Sequence, residues 1–314
     1  MGSFPQVKVL VTGITGYMGS LMAERMARDG HEVRGFARDP RSVTQLVPVI
    51  KGDAVSGHGL EVALRGIDVA YFLIHSMEPA PGDPAGDPFA RRERAAAENF
   101  ARAAAAAGVR RIVYLGGLVP SDGHSSTHLT SRMAVEHILR DAVPESVALR
   151  ASIVIGARSR SFRFLVRLVE RLPVLAVPAW RHHRTAPVDE RDVVEMLARA
   201  AGCPEVAGAT LDVGGPEVVS YGELIDRLAD LMLVGRPALR FNRLTVTPIA
   251  SRVAAVIAGE EYELIGPLME SLDGDLLPGD DRAARLLAVR LHTLDAAIEH
   301  ALAEWERDEP LAAR

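Results

Sequence analysis

VKVLVTGITGYMGS, Val7 to Ser20, decides how this chain is read. An apolar run broken only by Lys8 reads as a buried strand, and Thr12 ends it. Gly13, Gly16 and Gly19 then mark a turn into a helix expected from about Tyr17 to Asp29. Glycine permits the tight turn and lets backbone N–H groups approach a phosphate, which sits at the positive end of the helix dipole. A glycine triplet alone is weak evidence. One that follows a strand, opens a helix and starts a βαβ unit is a dinucleotide cradle. The expected contacts here are Gly13, Thr15, Gly16, Tyr17, Met18 and Gly19.

The alternation continues downstream. HEVRGFA (31–37), VIKGD (49–53), DVAYFLI (68–74), RRIVYLGG (110–117) and VALRASIVI (147–155) read as further strands. An Ala-rich helix at 91–108 ends in Gly108, as a helix C-cap does. Near-continuous apolar strands separated by helices predict a parallel sheet covered on both faces. The expected fold class is α/β, a Rossmann-type doubly wound parallel sheet with a smaller, mainly helical C-terminal substrate-binding cap. Residues 1–157 and 185–219 are assigned to the dinucleotide-binding domain, and 158–184 and 220–314 to the cap. The Pro/Gly stretch EPAPGDPAGDP (78–88) lies at the carboxyl end of the sheet, as a lid or as a plain surface loop.

The end of the second strand selects the cofactor. An NAD site places an acidic residue there to hold the ribose 2′-hydroxyl. This chain gives Arg38, with Arg34 and Arg41 close by, and Asp39-Pro40 reads as a turn. Guanidinium suits a 2′-phosphate in charge and in donor geometry, so NADP(H) is the expected cofactor. Asp53 and Ala54, closing the third strand, are placed to meet the adenine, although Asp53 also reads as a helix N-cap.

Bulk composition excludes several classes. The chain has 314 residues, 48% of them hydrophobic, and a net charge of −5, which offers no global field for nucleic acid or anionic lipid. No apolar run approaches the ~20 residues needed to cross a bilayer. A single cysteine, Cys203, rules out an intrachain disulfide framework. With the first strand starting at Val7, the reading expects no secretory leader and a cytoplasmic protein, monomer or homodimer, acting on a small molecule. His182, His183 and Cys203 show no metal-ligand spacing, and no metal is expected. RSRSFRFLVRLVERLP (158–173) interleaves arginine with aromatics, but Phe162, Leu165, Val166, Leu168 and Val169 fall at helical spacing. That favours an amphipathic cap helix lining the cleft, its positive face open to an acidic substrate, over a nucleic-acid groove. VDERDVVEML (188–197) reads as an N-capped helix.

TGITGYMG, the arginine after the second strand, KGD, DVAYFLIHSM, YLGGL, HLTSR, LRASIVIG, PVDERDVVEML and DVGGPEVVSYGEL occur in that order over about residues 7–225. In these pieces the chain resembles the atypical, extended-type short-chain dehydrogenase/reductases, particularly their NmrA-like NAD(P)-binding group. The resemblance implies a Rossmann sheet, a bound NADP(H) and a substrate cleft under a variable cap. It places Leu73, Ile74 and His75 beside the nicotinamide-side ribose, with Ser76 next. Gly116 and Gly117 stand where a serine normally ends the fifth strand, and Ser152 and Ile153 fall beside the nicotinamide.

One departure is plain. The wider superfamily uses a tyrosine to give a proton to the substrate carbonyl and a lysine four residues on to lower its pKa. Here the only lysines are Lys8 and Lys51, and the residue four after Tyr114 is Leu118. His128 and Arg132 occupy the matching interval, and i and i+4 share a helix face. Arg132 suits a ribose or phosphate clamp but cannot pass a proton, its pKa lying above ~12. His128 suits polarisation or protonation of a carbonyl, kept neutral by the adjacent guanidinium. His128 and Arg132 are therefore the catalytic candidates, the other reading of His128 being a helix-start residue with no chemistry; Ser125 or Ser126 reads either as a substitute for the missing serine hydroxyl or as a helix N-cap. Two readings follow: an NADPH-dependent reductase of a small to medium apolar carbonyl or conjugated alkene, or a non-catalytic NADP(H)-binding redox sensor or scaffold.

Overall fold

The computed structural model describes residues 6–74, 89–120, 127–171, 175–177, 179–233, 238–240 and 274–309. His75, Ser76, the 78–88 loop, Ser125 and Ser126 lie outside them, as does the side chain of His128.

The strands of the sequence reading form in chain order: β1 (Lys8–Thr12), β2 (Glu32–Ala37), β3 (Val49–Lys51), β4 (Val69–Phe72), β5 (Arg111–Gly117) and β6 (Val147–Ala151). Short strands follow at β7 (Val154–Ile155), β8 (Leu175–Val177), β9 (Arg184–Thr185) and β10 (Val188–Asp189). The last are β11 (Thr210–Val213), β12 (Val219–Ser220) and β13 (Ala238–Arg240). The helices are α1 (Tyr17–Arg28), α2 (Leu60–Leu64), α3 (Phe89–Ala106), α4 (Thr127–Ala142), α5 (Arg160–Arg171) and α6 (Glu190–Ala200). To these the C-terminal part adds α7 (Tyr221–Leu231), α8 (Arg282–Leu286) and α9 (Leu294–Asp308).

Seven strands make one sheet in the order β11-β6-β5-β4-β1-β2-β3, all parallel. β1 is central. Its two neighbours, β2 and β4, are reached by crossovers running in opposite directions, and this reversal opens the crevice in which doubly wound sheets bind ligands. Each face carries its own apolar layer. Leu10, Phe72, Ile112 and Tyr114 pack against Ala97, Phe100 and Leu139 of α3 and α4. Val9, Val11, Tyr71 and Val113 pack against Met22, Met26, Val193 and Leu197 of α1 and α6. Side chains of this size each contribute about 1.5–3 kcal/mol when fully buried.

Residues 147–155 do not run as one strand, contrary to the sequence reading. The Ser152 N–H still donates to the Val213 carbonyl of β11; beyond it the chain changes partners, and Val154 and Ile155 pair with Val188 and Asp189 of β10. The switch falls between Ser152, still bonded to β11, and Ile153, whose carbonyl accepts the Val188 N–H, at the carboxyl edge of the sheet.

α5 buries Phe162, Leu165, Val166 and Val169 against Leu224, Ile225 and Leu228 of α7 and Ile298, Leu302 and Trp305 of α9. The apolar stripe is thus a core rather than a cleft lining. Its positive face is occupied as well. Arg163 and Arg167 stack on Trp305 with guanidinium carbons 4.4 and 5.0 Å from the ring centroid, and Arg167 also pairs with Glu170 and Glu309. Those two arginines are committed inside the fold and do not form an open acidic-substrate surface.

Glu136 of α4 knits the sheet edge together. Its carboxylate, almost fully buried, accepts from Arg150 Nε (2.7 Å) and Nη2 (3.0 Å) and from Thr210 Oγ1 (2.6 Å). Glu136→Ala leaves the Arg150 charge without its partner and the Thr210 hydroxyl with only the Arg140 Nη1 donor at 2.9 Å, and the expected loss is about 2–3 kcal/mol of unfolding free energy in a urea titration. A loss under about 0.5 kcal/mol contradicts this account of the edge.

Candidate active site

The cradle is built by backbone. Gly13 leaves β1 at φ +69°, and a Cβ there would lie 2.4 Å from the Leu73 carbonyl oxygen at the end of β4. A Cβ on Gly19 would lie 2.0 Å from the Gly13 carbonyl oxygen, so the first turn of α1 rests directly on the loop. Gly16, at the N-cap, has no side chain to cap the helix, and no acidic residue sits in the first turn. The amides at the start of α1 therefore face an exposed surface at Thr15 and Gly16, and no carboxylate of the helix's own first turn competes for them. This arrangement fits a diphosphate. Tyr17 and Met18 are half-buried, and the Tyr17 side chain turns away into the α6–α9 layer, where its hydroxyl donates to Glu190.

At the end of β2 the three arginines separate. Arg34 Nη1 donates to the carbonyls of Ala63 (2.8 Å) and Arg65 (3.0 Å), closing the C-terminal end of α2. Arg41 pairs with Asp39 through Nε and Nη2, both at 3.0 Å, and holds the Asp39 carboxyl below its usual range. Arg38 is exposed and makes no hydrogen bond or ion pair among the described residues. Lys51, in register with Ala37 across β2–β3, is a second exposed cation on this rim. The sequence reading passed over Lys51; strand pairing was the missing information. Asp53 Oδ1 accepts the Val55 N–H at 2.9 Å, and Asp53 pairs with His58 in an isolated bridge. It shapes the turn that carries the buried Ala54.

The opposite end lies over β4, β5 and β6. Leu73 and Ile74 are half-buried beside the glycine turn. Gly116 and Gly117 close β5, and a Cβ on Gly117 would stand 3.2 Å from Leu129 Cδ2 of α4. A serine there would press on that helix, which is a packing reason for the missing hydroxyl. Ser152 Oγ lies 2.9 Å from Thr185 Oγ1, and burial pushes the phenol of the neighbouring Tyr221 above its usual range. No sequence signal pointed to Thr185 or Tyr221, because β9 and α7 come to Ser152 only through the fold.

Tyr114 is not a proton donor. It is 2% exposed, its hydroxyl donates to the Arg132 carbonyl at 3.2 Å, and burial holds its phenol well above the usual range. Arg132 lies over the Tyr114 ring at 5.1 Å, donates through Nη2 to the Leu115 carbonyl, and places Nη1 3.7 Å from Glu93. Ser131 Oγ donates to the same Glu93 at 2.9 Å. Arg132 thus stands at the carboxyl end of β5, held by these contacts. His128 is in the first turn of α4, one turn before it.

A third cluster was not foreseen. Glu190, His300 and Glu304 bring their side-chain donor atoms within 4.8 Å of one another behind the glycine turn. Burial pushes the Glu190 carboxyl up to about 7, the Tyr17 hydroxyl opposes this, and the charge and hydrogen bond of Glu304 add to it.

This sheet, crevice and cradle define a dinucleotide-binding fold of the Rossmann class. The model of the NAD(P)H-binding family matches residues 13–154. A (4-alkanoyl-5-oxo-2,5-dihydrofuran-3-yl)methyl phosphate reductase from Streptomyces griseus is 32% identical over 248 residues, covering 76% of this chain and 77% of that protein. A 2-alkyl-3-oxoalkanoate reductase from Stenotrophomonas maltophilia is 25% identical, covering 91% and 90%. Among solved structures, a short-chain dehydrogenase/reductase superfamily protein from Agrobacterium tumefaciens with bound NAD shares the fold, with a TM-score of 0.68, 20% identity and coverage of 96% and 98%. The chain belongs to the atypical short-chain dehydrogenase/reductases of the NmrA-like NAD(P)-binding group. It is an NAD(P)-dependent oxidoreductase. Among the described residues no helix is long and apolar enough to cross a membrane.

Proposed function

We propose that the chain is an NADPH-dependent reductase of a small to medium, largely apolar carbonyl compound or conjugated alkene. The observation that carries the NADP(H) choice is Arg38, the arginine at the end of β2 that no protein group engages among the described residues. Lys51 supports it from the next strand. The carbonyl or conjugated-alkene class is supported by the two reductases above: one name describes the methyl phosphate of an alkanoyl dihydrofuranone, the other a 2-alkyl-3-oxoalkanoate, each an alkyl-bearing carbonyl compound with an anionic end.

When bound, the reduced nicotinamide supplies a hydride, and reduction is completed by one proton. In this reading the diphosphate rests on the amides of Gly13 to Gly19, and the adenine meets Asp53 and Ala54. The nicotinamide end meets Leu73, Ile74, His75, Gly116, Gly117, Ser152 and Ile153. Arg132 fixes the carboxyl end of β5 and presents positive charge on the ribose side. His128, one turn earlier on the same helix, polarises the acceptor oxygen or holds the water that protonates it. Without a Tyr-Lys dyad the protein works through proximity and orientation, with one weak acid in place of an activated phenol. Residues 158–184 and 220–314 form the cap that shapes the substrate pocket.

The test is His128→Ala, assayed by NADPH oxidation against a panel of ketones and enones. Loss of a general acid costs about 100-fold or more in kcat with little change in cofactor Kd. A variant with wild-type kcat removes His128 from the mechanism. Wild-type protein that binds NADPH but reduces nothing in the panel favours a cofactor-binding sensor.

A further inference from the structure

The turn that grips the diphosphate is tied to the C-terminal helix by a buried acid. Tyr17 is the first residue of α1, so its main chain borders the cradle while its phenol donates to Glu190 Oε2. Glu190 is the first residue of α6, 5% exposed, and meets Glu304 and His300 from α9. Gly156 completes the fit. A Cβ there would lie 2.1 Å from both Glu190 Oε2 and the Tyr17 hydroxyl, so the β7–α5 connection closes over the pair only because that residue is glycine.

We propose that Tyr17, Glu190 and Glu304 are positioning residues for cofactor binding: the two carboxyls share one proton, and its loss weakens the grip of the glycine turn on a dinucleotide. The inference rests on the diphosphate sitting at Gly13–Gly19. Two carboxylates in contact cannot both ionise cheaply, so one proton stays between them until the solution is near neutral. The remaining charged groups around Glu190 do not cancel the second charge. Asp189 is held by Arg191 through Nε and Nη2. Arg158, from the β7–α5 connection, lies over the Tyr17 ring at 5.9 Å and is itself exposed. His300 lies 4.0 Å from Glu304 and compensates it only while protonated. Burial and Glu304 place the loss of the Glu190 proton at about pH 7. Above that, a further negative charge stands behind the first turn of α1, where the cofactor brings its own.

Cofactor affinity is highest below about pH 7 and falls as pH rises through it, because the bound state prefers the protonated pair. The 2′-phosphate of NADPH titrates in the same range, near pH 6, so the readout is the ratio of wild-type to variant Kd, in which the ligand's own titration cancels. Glu190→Gln keeps an acceptor for the Tyr17 hydroxyl and cannot ionise. The ratio of wild-type to Glu190→Gln Kd for NADPH is expected to rise about five-fold between about pH 6 and about pH 8.5. Glu304→Gln, at a partly exposed site, has the same expected effect and serves if Glu190→Gln folds poorly. Tyr17→Phe removes the hydrogen bond that stabilises the charged form and moves the break to higher pH, which loss of packing alone does not do. A ratio that stays flat for both Gln variants overturns the proposal while leaving the cofactor assignment intact. Failure of the wild type to bind NADPH or NADH at any pH overturns both.

Discussion

Gly19→Ala is expected to abolish cofactor uptake, lowering NADPH affinity about 100-fold or more. The added methyl would stand 2.0 Å from the Gly13 carbonyl oxygen, 2.5 Å from its carbon and 3.0 Å from Ile14 Cα. All three are backbone atoms of the loop that holds the diphosphate, so no rotamer relieves the clash. Either α1 moves off the loop or the loop opens, and in both cases the amides lose their common target. Gly16→Ala is the informative contrast. Gly16 has φ −84° and ψ 171°, which any residue adopts, and its nearest neighbour to a new Cβ is the Gly13 oxygen at 3.1 Å. That variant keeps its fold and its melting temperature and loses affinity through the obstructed surface alone. Fluorescence titration with NADPH, beside a thermal melt, separates the two. A Gly19→Ala protein that binds within about three-fold of wild type contradicts the placement of the cofactor.

Arg38→Ala is expected to weaken NADPH binding about 10-fold or more while leaving NADH binding within about two-fold. A charge-assisted hydrogen bond to a phosphate contributes about 1.5–3 kcal/mol, and the exposure of this rim places the effect at the lower end. Arg34 and Arg41 do not take over. Arg34 is held by the carbonyls at the end of α2 and Arg41 by Asp39. Lys51 retains part of the preference, so the double variant with Lys51→Ala falls further. Equal losses for both nucleotides in Arg38→Ala would move the arginine out of the 2′-phosphate site and point to a general effect on the turn.

The sheet was legible because each strand is a short apolar run punctuated by glycine or a charged helix, and the order of segments already implied a crevice beside β1. Val154 and Ile155 show the limit. Nothing in VALRASIVI marks the point where the chain exchanges one partner strand for another, since the pattern is equally apolar on both sides. Arginine was the other limit. In the sequence Arg38 leads, with Arg34 and Arg41 close by, and only the carbonyls at the end of α2 and the Asp39 pairing show that the other two are engaged elsewhere. The stripe on α5 was recognised as helical, but its partners α7 and α9 follow more than fifty residues later in the chain, so whether it faced a cleft or a core was not written locally. Glu190 was hidden for the same reason: its neighbours Tyr17 and Glu304 are 173 and 114 positions away, on elements that only the fold brings together.

The most direct measurement follows the hydride. NADPH carrying deuterium at both C4 positions of the nicotinamide is incubated with the protein and an acylated unsaturated lactone or a simple ketone, and the product is examined by mass spectrometry and NMR. The account predicts one deuterium on the β-carbon of the former alkene, or on the former carbonyl carbon, with NADP+ formed in equal amount. Bound NADPH that passes no deuterium to any carbonyl or conjugated alkene contradicts it.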